Sequence, residues 1–106
     1  MADEIVIFIT ASSEDEAAKI ANSLVQEHLV ACANIVPEVR SLFFWQGGIQ
    51  DERESLLICK GRLFHMDRII RRVKSLHSYT VPEIIALPII SGSSEYLEWV
   101  REATSA

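Results

Sequence analysis

Residues 30–60 read VACANIVPEVRSLFFW (30–45), QGG (46–48) and IQDERESLLICK (49–60). Two runs rich in Val, Ile, Leu and Phe flank a glycine pair, which is the pattern of a long β-hairpin. Arms of about 14 residues at roughly 3.3 Å per residue span on the order of 45 Å, whereas a compact domain of this size is about 34 Å across. The hairpin is therefore expected to overhang its own core. Pro37 cannot donate a ladder hydrogen bond, so the first arm is expected to bend or bulge there and to carry Phe43, Phe44 and Trp45 to another subunit. Folding about Gly47 and Gly48 sets Cys32 opposite Leu63 and Cys59 opposite Val36. The thiols then lie roughly 13 Å out of register, beyond the Cα separation of about 7 Å that a disulfide tolerates.

Outward from the hairpin, residues 4–10 (EIVIFIT) form a short β-branched run suited to a central strand. Ser13 and Glu16 have capping-box spacing, and Ala17, Ile20, Ala21, Leu24, Val25 and His28 recur at helical intervals behind them. Glu14, Asp15 and Glu16 complement the positive end of that helix. A second helix is expected from about Phe64 to His77, with Met66, Ile69, Ile70, Val73, Leu76 and His77 on one face and Arg68, Arg71, Arg72 and Lys74 on the other. Residues 84–90 (IIALPII) read as a strand in which Pro88 demands an edge or a bulge, and Ser93 or Ser94 caps a closing helix carrying Tyr96, Leu97, Trp99 and Val100. The order βαββαβ plus a final helix is the α+β, ferredoxin-like pattern, an antiparallel sheet with two helices on one face. Its other face would be a large apolar patch unless subunits cover it for one another.

The 106 residues suit one domain, 1–106, with no repeat and no linker to divide it. Hydrophobic residues make up 49% of them, too many for a disordered chain. Without a disulfide framework or metal cage, so small a domain is expected to gain burial by oligomerising. Ten Lys and Arg against fifteen Asp and Glu give a net charge of −5, which argues against a nucleic-acid partner. The opening Met1-Ala2-Asp3-Glu4 lacks a cationic leader, and no apolar run approaches a membrane span, so a cytoplasmic protein with no membrane partner is expected. Cys32 and Cys59 form no C-x-x-C pair and read as reduced thiols in apolar surroundings.

Residues 77–83 (HSYTVPE) place an imidazole, a phenol and a carboxylate between a helix end and a strand start. On one reading His77 closes the helix, Tyr79 packs with its hydroxyl satisfied, and Glu83 accepts backbone hydrogen bonds. On the other, these groups converge on a ligand or a metal, with neighbouring subunits completing the donor set. Lys60 ends the second hairpin arm either with its ammonium in a cleft or simply solvated. Six of the ten basic residues fall between Lys60 and Lys74, a locally positive stretch in an acidic chain. No Gly-rich phosphate loop, G-x-S-x-G elbow or H-E-x-x-H helix occurs, and His28 and His65 have no partner at ligand spacing, so an enzyme is not indicated.

Four ordered segments, LVACANIVP (29–37), SLFFWQG (41–47), ESLLICK (54–60) and HSYTVPEI (77–84), resemble the divalent-cation tolerance family, CutA. The resemblance spans nearly the whole chain. It implies a ferredoxin-like protomer in a tight homotrimer related in architecture to the PII signal proteins, with hairpins clasping adjacent subunits through Phe43, Phe44 and Trp45. It also implies a role in the response to divalent metal ions, with copper binding in some members. By that resemblance Trp45, Lys60, His77, Tyr79 and Glu83 line an inter-subunit ligand cleft, and His77 is the candidate metal ligand. This chain departs from the family at Phe44, Gly61 and Ser78, where Tyr, Thr and Pro are common. Ile9 and Leu76 stand where some copper-binding members carry a cysteine and a second histidine, so the thiolate best suited to Cu(I) is lost. The expected activity is non-enzymatic binding of a divalent cation, copper among the candidates, or of a small ligand between subunits. The alternative is a PII-like signalling trimer that binds a metabolite and a partner protein.

Overall fold

The computed structural model describes residues 3–105; Met1 and Ala2, part of the acidic opening read above, and Ala106 lie outside it. From Ile5 onward strand β1 (Glu4–Ala11) alternates, burying Ile5, Ile7, Ile9 and Ala11 on one face. Helix α1 (Glu14–Gln26) packs Ala17, Ile20, Ala21 and Leu24 on that face. Strands β2 (Val30–Trp45) and β3 (Gly48–Arg62) form the hairpin. A 3-10 turn at Leu63–His65 leads into α2 (Met66–Leu76), which adds Ile69 and Val73 to the core, and β4 (Ile84–Pro88) and α3 (Ser94–Ala103) complete the chain. Among the described residues the four strands make one antiparallel sheet in the order β2-β3-β1-β4, with Pro88 on its edge strand as expected. The α+β class and the ferredoxin-like order are those read from the sequence.

Several expectations are corrected. Ser13 caps α1, its hydroxyl accepting from the Glu16 amide at 3.1 Å, but the Glu16 carboxylate accepts from Ser12 instead of closing the box on Ser13. Val25 is 40% exposed, and His28 lies beyond the helix in the left-handed region, φ 58°. The second helix starts two residues later than read, because Leu63 and Phe64 belong to the 3-10 turn and stay exposed.

The hairpin register also differs. Gln46 and Gly47, at φ 51° and 80°, form a two-residue turn that sets Trp45 opposite Gly48, so the chain reverses one residue earlier than a fold about Gly47 and Gly48. A further shift lies between Val36 and Val39, the irregularity expected at Pro37. Together they bring Cys32 opposite Lys60 and Cys59 opposite Ala33, on adjacent rungs instead of far apart. The thiols are nonetheless free, because adjacent rungs point to opposite faces of the sheet.

The face turned away from α1 and α2 carries Val6, Phe8 and Ile58, all half-buried, with Ile85 and Leu87 each 51% exposed. Helix α3 covers only one end of it. There the Tyr96 hydroxyl stands 3.5 Å from Cys32 Sγ, and Arg101 Nη1 lies 3.0 Å from the buried Glu4 carboxylate, close enough to offset its charge though not aligned as a hydrogen bond. The molecule measures 44 × 25 × 23 Å, and its radius of gyration of 14.2 Å exceeds the roughly 13 Å of a compact chain of this length. The overhang is the outer hairpin, where Leu42, Phe44 and Ile49 are largely exposed.

Candidate functional site

The loop between α2 and β4 is held against the sheet by His77. The residue leaves the helix with an extended backbone, φ −86° and ψ 143°, and its ring turns inward until the side chain is fully buried. Nε2 lies 2.7 Å from the Thr10 carbonyl, which can only accept, so the proton sits on Nε2. Nδ1 then accepts the Tyr79 amide at 3.0 Å. Both ring nitrogens are therefore used in a neutral imidazole, and Glu16 Oε1, 3.7 Å from Nδ1, is a neighbour and not an ion-pair partner.

Glu16 ties the same loop to the start of α1. Its carboxylate accepts the Ser12 amide and hydroxyl at 2.9 and 3.0 Å and the Ser78 amide at 2.9 Å. Burial opposes its ionisation, but these donors outweigh burial and hold its pKa down at about 2. Tyr79 packs its ring against His77, tilted at 46° with 4.7 Å between ring centroids, and donates its hydroxyl to Glu54 Oε2 at 2.8 Å. Burial first, then that bond and the negative charge of Glu54, Glu16 and Glu52, push the phenol pKa up, so it stays a donor.

Above Tyr79 the overhanging hairpin forms a cavity of about 460 Å³, walled by Phe43, Trp45, Glu52, Arg53, Tyr79 and Val81. An adjoining cavity of about 480 Å³ shares Phe43, Trp45, Tyr79 and Val81 and adds Arg40, Glu54 and Glu83. The two arginines are already committed, Arg40 to Asp51 at 2.7 Å and Arg53 to Glu38 at 2.6 Å. Glu52, Glu54 and Glu83 therefore leave the cleft acidic.

Of the residues singled out from the sequence, Trp45, Tyr79 and Glu83 meet in this cleft, and His77 stands behind it as a support. Within the protomer Lys60 stands apart from them. It lies six residues along β3 from Glu54, roughly 20 Å away, and donates to Asn34 Oδ1 at 2.6 Å. Glu52 and Glu54 were missed, although their i, i+2 spacing on a strand places both on one face. Glu16 was read only as a helix cap.

The donors fit a metal only in part. Among the described residues no three His, Cys, Asp or Glu side chains converge closely enough to hold an ion. The cleft offers oxygen atoms and no sulfur: Cys59 is buried, its thiol pKa pushed up to about 12 mainly by that burial, and Cys32 faces Tyr96. One protomer thus presents an open, oxygen-rich partial set.

The family model for the CutA1 divalent ion tolerance protein matches residues 5–103. The chain is 50% identical to the divalent-cation tolerance protein CutA of Thermus thermophilus, over 95% of this chain and 98% of that one. A solved structure of the divalent cation tolerance protein from that organism superposes with a TM-score of 0.93, again over 95% and 98% of the two chains. The crystal structure of CutA1 from Oryza sativa is 41% identical, with a TM-score of 0.94 over 97% of this chain and 94% of the other. Identity to the chloroplastic CutA of Arabidopsis thaliana is 45% over 94% of this chain, which spans 55% of that relative's length.

Proposed function

The chain belongs to the CutA1 divalent ion tolerance family, and from that premise we propose that it acts as a homotrimer. Each trimer binds divalent cations in clefts where the hairpin and the Tyr79 loop of one protomer meet a neighbour, and so contributes to cation tolerance. The observation that carries this reading is the acidic cleft itself. Glu52, Glu54 and Glu83 surround Tyr79 while Asp51 and Glu38 draw off the nearby arginines, so negative charge remains where the donor set is incomplete. The exposed tip of the hairpin and the half-open sheet face support the assembly that would complete it.

Carboxylate oxygens suit hard or borderline divalent ions, Cu(II) among them, better than Cu(I), which prefers thiolates. In this account Glu52 and Glu83 bind the ion, and Glu54 holds the Tyr79 hydroxyl. His77 ligates nothing while its nitrogens hold Thr10 and Tyr79; it positions the loop.

Titration calorimetry of the assembled protein with CuCl2 and MgCl2 tests the reading. Saturable binding of one ion per protomer is expected, weakened about ten-fold by Glu52→Gln or Glu83→Gln. His77→Ala should lower the thermal midpoint more than the affinity. Absence of saturable binding for both ions, or affinities unmoved by both carboxylate variants, would overturn it.

A further inference from the structure

A second concave site lies on the opposite side of the molecule, where α2 meets the end of α1. Arg68, Arg71, Arg72, Ser75, Glu27 and Leu29 enclose about 370 Å³. Three guanidinium groups face one carboxylate there, a net of two positive charges in a chain whose formal charge is −5. We propose that this pocket is an oxyanion site that takes a phosphate group, as the free ion or on a small phosphorylated metabolite.

Two of the three arginines are held in place before any anion arrives. His65 is buried, and its Nε2 donates to the Thr104 carbonyl at 2.9 Å, which leaves Nδ1 as an acceptor for Arg68 Nη2. A neutral partner thus fixes the direction of Arg68 without cancelling its charge. Arg72 Nε reaches both Glu27 oxygens, at 3.1 and 2.9 Å, while its Nη1 donates to Ser75 Oγ at 3.3 Å. Arg71 makes no hydrogen bond or ion pair among the described residues and keeps all its donors for a ligand. A tetrahedral oxyanion needs several N–H donors around one centre, and planar guanidinium forks supply them in pairs. The Ser75 hydroxyl is itself spent, donating to the Arg72 carbonyl at 2.6 Å, so it braces Arg72 and leaves the anion to the guanidinium groups. The site belongs to the helical side, away from the apolar sheet face, so an assembly built across that face leaves it open. It does not depend on the cation reading.

Titration calorimetry at matched ionic strength, with inorganic phosphate, ribose 5-phosphate and chloride as probes, decides the matter. Phosphate or its ester should bind saturably at about 1 mM or tighter while chloride does not, and the tighter of the two identifies the source. Arg71→Gln, which breaks no internal bond, should weaken binding about ten-fold. Glu27→Gln, which removes the competing carboxylate, should tighten it, a gain that misfolding cannot produce. Identical responses to phosphate and chloride, or phosphate binding unchanged in both variants, would overturn the proposal.

Discussion

At His77 the chain uses an imidazole as a two-way brace, Nε2–H to the Thr10 carbonyl of β1 and Nδ1 from the Tyr79 amide. Glu16 performs the companion task with a carboxylate, gathering donors from Ser12 and Ser78 so that α1, β1 and the Tyr79 loop share one hydrogen-bonded knot. Because its folded pKa of about 2 lies below the ordinary 4.5, Glu16 contributes stability that is fully present above pH 4.5. That contribution fades as the pH falls toward 2. Thermal midpoints of the parent and Glu16→Gln should therefore differ at neutral pH and converge between pH 4.5 and 2; a gap of constant size across that window would contradict the assignment. The spacing of Ser13 and Glu16 marked a helix start but not this knot, since the other partner, Ser78, is 62 residues away in the chain.

Each element forms where its local pattern directs, and the departures come at joints. The turn falls on Gln46 and Gly47, both at positive φ as a type I′ loop requires, although Gly47 and Gly48 would meet that local requirement more easily, and the bulge past Val36 then moves every inner rung by one more residue. Gly61 is another such joint. A Cβ there would stand 3.2 Å from the Leu29 carbonyl oxygen and 3.6 Å from Ile7 Cδ1, so the β2 backbone approaches β3 closely at this rung. Gly61→Ala is expected to destabilise the fold by about 1–3 kcal/mol in urea unfolding. An unchanged midpoint and slope would mean that the Leu29 segment yields freely.

On the scale of the whole molecule, the 44 Å long axis comes from a hairpin that its own core cannot cover. Trp45 sits at its tip, 45% exposed. If the tip packs on a neighbour, Trp45→Ala should weaken assembly by about 2 kcal/mol or more. Sedimentation would then show dissociation at protein concentrations where the parent stays associated, and a variant as fully assembled and as heat-stable as the parent would count against that role. The sequence by itself determined the order of strands and helices along the chain, the Ala17, Ile20, Ala21 and Leu24 stripe of α1, and the overhang. These follow from side-chain period, cap residues and arm length, all of which act over a few neighbouring residues. Only the tertiary structure decided which side chains share the cleft. Within one protomer it set Lys60 apart from Trp45, Tyr79 and Glu83, brought Glu52 and Glu54 beside them, and committed both nitrogens of His77, because register accumulates single-residue shifts along a strand and a hydrogen bond between distant residues exists only once the chain has closed.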